Sequence, residues 1–361
     1  MTRSKGFSLI ELMLALTLGL IVTAGIVQLF VGNTQTNMLL TGQSRLQESA
    51  RYALDFISRS ARSAGYFGCD PGDNVFNTLN GSWNQIYEFN ISVPIESYDY
   101  TGSTGTALGD WTPSASTLPR MTGVGTSFNT FINGNGIELS DANPGSDILV
   151  LRRVQIPGSR IDSIVQPNAS PVVEDNGNLG IAANDFAVIS NCEQAALFRV
   201  TGVTAGAGNA TLGRTSGGGG VFENSAAATL SEIGVAYGLS GDSQGTTVGR
   251  VVTDIYFVAN GAGTNNRGDT PLSLWRKTAA AAPVELVEGI VDLQVLFGVD
   301  TTPADDIDAP NQYLGSSLVN ATDVIRTLRI QITASTIDVV TGNEQTVERT
   351  FSQTISLRNT G

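Results

Sequence analysis

This sequence predicts an α+β fold: one long N-terminal α-helix packed on a mostly antiparallel β-sheet body. Three observations predict it. An apolar run from Phe7 to Val31 passes into an amphipathic pattern that ends near Ala64. Two C-terminal stretches, 323–336 and 347–359, alternate between apolar and polar residues. Between helix and C-terminus, Gly, Ser, Thr and Asn are abundant and short alternating runs recur, the composition of a β-rich extracytoplasmic body.

The apolar run comes first. Its 25 residues span about 37 Å as a helix, and a bilayer core takes about 20 residues. A secretory signal peptide has a shorter apolar region, about 7–15 residues, followed by a small-residue cleavage site. This run is longer and no such site follows. Arg3 and Lys5 precede it, which places the N-terminus in the cytoplasm and the rest of the chain outside.

Glu11 interrupts the run. A carboxylate deep in a membrane costs on the order of 2.5–3.5 kcal/mol on insertion scales and marks a function with a partner. No Lys or Arg lies within the run, so the partner comes from elsewhere. A free α-amino group, with a pKa of about 7.7–8.0, is largely cationic and fits the need. A cut after Gly6 creates one at Phe7, four residues before Glu11.

The stretch KGFSLIELMLAL, residues 5–16, resembles the class III leader of type IV pilins and type II secretion pseudopilins. That resemblance implies a pilin-like fold. It implies that residues 1–6 are a leader, that a prepilin peptidase cuts between Gly6 and Phe7, and that the new N-terminus at Phe7 is methylated. Glu11 then becomes the fifth mature residue, which in this family pairs with the N-terminal amine of a neighbouring subunit. Before assembly such a chain spans the inner membrane once; afterwards it lies in a pilus that crosses the periplasm to the cell exterior.

Beyond the membrane-spanning part, 7–31, the helix continues through 32–64 as an amphipathic second half. Leu39, Leu46, Ala50, Ala53, Ile57, Ala61 and Ala64 recur at intervals of three, four or seven, and form one stripe for a core. Arg45, Glu48, Arg51, Asp55, Arg59 and Arg62 occupy the other faces. Gly65 suits the C-cap. Major pilins often carry a proline at the position of Gln28; here only Gly19, Gly25 and Gly32 soften the helix, at about 1 kcal/mol each relative to alanine.

Residues 65–361 form the predicted β-rich periplasmic or extracellular body. Residues 83–93, WNQIYEFNISV, fit short strands within long loops. Clearer strands are 147–155, 185–191, 196–203, 251–260, 271–277, 284–300, 323–336 and 347–359. The last two read as half-buried antiparallel strands, and a body of this size accommodates two sheets. Residues 205–220, which end in TSGGGG, read as a flexible loop and a spacer between strands, since the glycines lack the Lys-Ser/Thr that completes a phosphate-binding loop. The order of these segments from DILVLR to the terminal TISLRN resembles PilW-type minor pilins, in patches over about 145–361.

Composition argues against several functions. The formal charge is −13, and the only lysines are Lys5 and Lys277. Such a body repels nucleic acid and anionic membranes. With no histidine, the commonest general base and metal ligand are missing and no Ser-His-Asp triad can form. No cofactor motif is present, and the chain is expected not to be an enzyme. Cys69 and Cys192 fit neither a zinc motif nor a CxxC. In an exported protein they read as one disulfide joining helix exit to sheet rather than as two free thiols. The acidic stretch 300–310 offers Asp300, Asp305, Asp306 and Asp308 as a weak calcium candidate. It lacks the D-x-D-x-D spacing of an EF-type loop, and a solvated acidic turn is the plainer reading.

The resemblance implies a minor pilin that joins other minor pilins and the major pilin through its helix. It would prime assembly of a type IV pilus used in twitching motility, and lie near a fibre tip that carries a large adhesin. Two other readings stand beside it. One is a minor pseudopilin of a type II secretion system, where deletion would abolish exoenzyme secretion instead. The other is a tip adhesin whose polar loops, 70–145 and 205–250, bind a surface.

Overall fold

The computed structural model describes residues 8–68, 75–83, 86–100, 102, 111–113, 141–155, 158–165, 170–175, 177, 179–190, 195–227, 246–278, 282–303, 309–320, 323–340 and 345–357. One helix, α1 (Leu9–Ser63), runs unbroken for 55 residues, about 82 Å. It passes through Gly19, Gly25 and Gly32 without interruption. Ala64 ends it in extended conformation, and Gly65 follows with φ +76°. That left-handed backbone suits glycine. The Gly65 N–H then donates to the Arg152 carbonyl at 3.0 Å, which hands the chain from helix to sheet.

Among the described residues the strands are β1 (Val75–Asn77), β2 (Ile95–Tyr100), β3 (Trp111–Pro113), β4 (Ile148–Val154), β5 (Ser159–Val165), β6 (Ser170–Glu174), β7 (Phe186–Ser190), β8 (Ala195–Arg199), β9 (Gly202–Ala205), β10 (Asn209–Gly213), β11 (Thr247–Asn260), β12 (Leu272–Thr278), β13 (Val284–Glu288), β14 (Ile290–Asp300), β15 (Gln312–Gly315), β16 (Val324–Ser335) and β17 (Glu348–Ser356). They make a 13-stranded network and a 4-stranded sheet of order β15-β14-β16-β17. Only β1 and β8 pair in parallel among the described strands; the rest are antiparallel. The α+β, pilin-like architecture is therefore present.

The 4-stranded sheet lies under α1. Leu293, Val295, Phe297 and Val299 of β14 point inward with Leu328, Ile330, Ile332 and Ala334 of β16 and Ile355 of β17. They meet Leu46, Ala50, Ala53, Ile57, Ala61 and Ala64, all buried, while Leu39 is half-buried. The alanines matter here. Their small side chains let helix and sheet backbones approach closely, and the larger Leu46 and Ile57 fill the space between. Arg329, Gln331 and Thr333 take the other face of β16 and stay half-exposed, as the period of two requires.

β11 organises the larger network and pairs with β4, β5, β7 and β12. A separate core of Ile161, Val173, Ile189, Phe198 and Leu212 lies beyond it. Two expectations change. Residues 83–93 are not strands where described: Tyr87–Phe89 is a 3-10 turn. Buried Ile86, Phe89 and Ile91 anchor it, and Thr253 Oγ1 donates to the Glu88 carbonyl. The segment 284–300 is two strands. Gly289, at φ +81°, breaks it and turns the chain from one sheet to the other. The stretch 205–220 is not all loop, since β10 (Asn209–Gly213) lies within it; its glycine end is held by Asn224, whose side chain accepts from the Arg199 N–H at 2.8 Å and donates to the Arg199 carbonyl at 2.8 Å.

Candidate assembly site on the N-terminal helix

The two halves of α1 have opposite surroundings. From Leu9 to Val31 the large apolar side chains are 46–76% exposed. This half is long and apolar enough to cross a membrane, and no described part of the body covers it. Its threonine hydroxyls, and two just beyond it, are satisfied locally. Thr17 donates to the Leu14 carbonyl (3.0 Å), Thr23 to Gly19 (2.7 Å), Thr34 to Phe30 (2.9 Å) and Thr36 to Gly32 (2.8 Å). Each hydroxyl is thus spared the cost of an unmet donor in hydrocarbon.

Glu11 is the only charged residue between Ser8 and Ser44. It sits in the first turn of α1, and its Oε2 accepts from the Ser8 N–H at 3.5 Å. The carboxylate therefore leans back toward the helix N-terminus, where the dipole favours negative charge. Gly6 and Phe7 lie outside the described residues.

The other half of α1 is fastened to the body through a buried carboxylate. Asp254, 1% exposed on β11, accepts from Ser60 Oγ (3.1 Å) and Arg153 Nη2 (2.9 Å) through Oδ2, and from Thr278 Oγ1 (2.9 Å) through Oδ1. Arg276 Nε stands 4.0 Å away. Ser60 Oγ also lies 2.8 Å from the Tyr256 hydroxyl. Burial, then the Asp254 charge, pushes that phenol up to about 12. One carboxylate thus joins α1, β4, β11 and β12. Nearby, Arg152 is fully buried, donates to the Val93 carbonyl (2.6 Å) and pairs with Glu96 at 3.1 Å.

The sequence did not point to these fastening residues, although a signal was there. Asp254 stands inside VVTDIYFVAN and Arg152 inside DILVLRRV, and a charge within an apolar strand requires a buried partner. Of the acidic stretch, Asp300 is buried. It pairs with Arg326 at 3.6 Å and accepts from the Thr302 N–H at 3.0 Å. Asp305, Asp306 and Asp308 lie outside the described residues, and among the described residues no group of three carboxylates is placed to hold a metal. Cys69 and Cys192 also lie outside them. Their flanks meet, however: a Cβ on Gly68 would fall 2.5 Å from Ser190 Oγ.

Two family models match the chain. The prokaryotic N-terminal methylation motif matches residues 1–27, which supports a membrane-anchored, pilin-like helix half. The type IV pilus-assembly protein W family matches residues 255–354, which run from the middle of β11 into β17 and include most of the sheet under α1. Together the two matches support a PilW-type pilin, a minor pilin of the type IV pilus. No curated protein and no solved structure matches it.

Proposed function

We propose that this subunit is cut between Gly6 and Phe7, is methylated on Phe7, and enters the fibre by pairing Glu11 with the N-terminal amine of a neighbouring subunit. It joins other minor pilins in a complex that primes assembly and lies near the fibre tip. The carrying observation is the bare apolar half of α1, with its single, almost unpartnered carboxylate. Before assembly the inner membrane covers that half; in the fibre the helices of neighbouring pilins do. Retention of Glu11 implies a neighbour above it, so the subunit is not the topmost one. The role is structural, and the prepilin peptidase acts on the chain as a substrate.

The match to a pilus-assembly family favours the fibre over a type II secretion machine. The adhesin reading rests on 70–145 and 205–250, much of which lies outside the described residues. The test is Glu11→Ala in cells. The variant should insert and be cleaved at the wild-type level yet support few surface fibres. Normal piliation would remove Glu11 from assembly.

A further inference from the structure

β17 is a free edge. It pairs with β16 on one side and with no described strand on the other. Its register with β16 is regular over nine residues, from Thr327↔Ser356 to Ser335↔Glu348. The Leu357 N–H donates to the Arg326 carbonyl and the Thr336 N–H to the Val347 carbonyl. These bonds fix the phase of the ladder. The odd-numbered residues 349–355 bond to β16, and the backbone groups of Glu348, Thr350, Ser352, Thr354 and Ser356 face outward. Natural proteins blunt long edges with proline, bulges, lysine or brevity. β17 has no proline, no lysine and no bulge. β15, the opposite edge of the same sheet, has four residues.

The edge borders a groove. Between β17 and the overhanging flank of α1 lies a space of about 1010 Å³, floored by Phe351 and Gln353 and roofed by residues 47–62 of the helix. That roof is about 22 Å long, the length of six or seven residues of strand. Tyr52 is 54% exposed there. Arg59 is paired with Asp55 at 2.8 Å. Arg51 and Arg62 have no carboxylate within 4 Å among the described residues, although the chain as a whole carries a charge of −13.

We propose that the β17 edge and this groove receive an extended, acidic segment of a neighbouring pilus subunit, added as a fifth strand beside β17. Main-chain bonds to the outward groups of Thr350, Ser352 and Thr354 supply affinity. Alternate side chains of the incoming strand enter the groove, where carboxylates meet Arg51 and Arg62 and apolar groups meet Tyr52 and Phe351. The source of the strand rests on the pilus-subunit reading; the docking geometry does not.

The test uses the full chain in piliated cells, with a benzophenone side chain in place of Thr354 and a control probe in place of Tyr313 on β15. Illumination at 354 should join the chain to an extended, carboxylate-bearing peptide of another pilus subunit. The yield should fall on the order of tenfold, which corresponds to about 1.4 kcal/mol, in Ser352→Pro. That change removes an outward N–H and no bond to β16. The double change Arg51→Glu with Arg62→Glu alters only exposed helix positions and should cause a similar loss, so the test stands even where the proline variant misfolds. A yield at 354 no greater than at 313, a crosslink to a second copy of this chain or to a non-pilus protein, or a yield unmoved by the folded variants would overturn the proposal. Piliation of Glu11→Ala reads the assembly proposal separately, so the two fail independently.

Discussion

Asp254 allows the attachment of helix to body to be measured. Asp254→Ala removes the acceptor for Ser60, Arg153 and Thr278 together. Deleting one partner of a buried ion pair costs about 3–5 kcal/mol because a charge is left behind. Here the stranded arginines are partly wet, with Arg153 23% and Arg276 35% exposed, so water recovers part of the loss. The lower end, about 3 kcal/mol, is expected. An unfolding entropy of about 2.1 cal/mol/K per residue over roughly 300 residues gives about 0.6 kcal/mol/K. The melting temperature should therefore drop by about 5 °C. Thermal unfolding of the detergent-solubilised full chain, followed by circular dichroism, reads it. A double-mutant cycle with Ser60→Ala isolates the helix-to-sheet part, and its coupling should be about 1 kcal/mol or more, since the bond is to a charged group. A shift within 1 °C of wild type, on the scale just worked, or a coupling near zero would refute the idea that this carboxylate fastens the helix.

Two further outcomes are expected. Purified from the periplasmic side, the chain should show no free thiol until reduced, with Cys69 linked to Cys192 in the mass spectrum. Reduction should cost up to about 4.7 kcal/mol on the chain-entropy model, and two alkylatable thiols without reductant would end the disulfide proposal. Burial raises Glu88 to about 7, against the opposing pull of Lys277 and Arg152, and raises Asp147 to about 7, against the Val295 N–H. Folded carboxyls that hold their protons above the unfolded value favour the native state below about pH 4.5, and that contribution is lost as pH rises through 7. Glu88→Gln should leave stability at pH 4 nearly unchanged and raise it relative to wild type at pH 8, by up to about 3 kcal/mol for a shift from 4.5 to 7. Urea unfolding at both pH values checks this, and parallel pH slopes for the two proteins would contradict it.

The helix was legible because its pattern is local. Leu46, Ala50, Ala53, Ile57 and Ala61 share a face by spacing alone, and all are buried. β16 was equally legible, since one face packs on α1 and the other does not, which leaves a clean alternation. Residues 83–93 misled because Ile86, Phe89 and Ile91 fit a short strand as well as a turn. β5, β6 and β10 passed unnoticed. Each contributes few inward residues, such as Ile161, Val173 and Leu212, set among polar ones, so no run stood out. The fastening site was the least accessible. Ser60 lies 194 residues from Asp254 and Arg153 lies 101, and no local period reports such a meeting.

The fold completes the charges of Asp254 and Glu11 to very different degrees. An ionised carboxylate has about four acceptor positions. Asp254 has three of them filled at 3.1 Å or less and arginines on two sides; it is complete within its own chain and serves to hold the structure. Glu11 receives one N–H at 3.5 Å, and among the described residues no cation stands within 4 Å of it. Its helix half carries no other charge, and the arginines nearest along α1 begin at Arg45, about 51 Å away at helical rise. No described part of the body reaches it, and hydrocarbon cannot solvate it. A charge that the described fold leaves incomplete in that setting supports the proposal of a partner arriving from outside the helix. On the proposed pairing, the amine released by cleavage of a neighbouring pilin supplies the right sign and, near neutral pH, a largely protonated form.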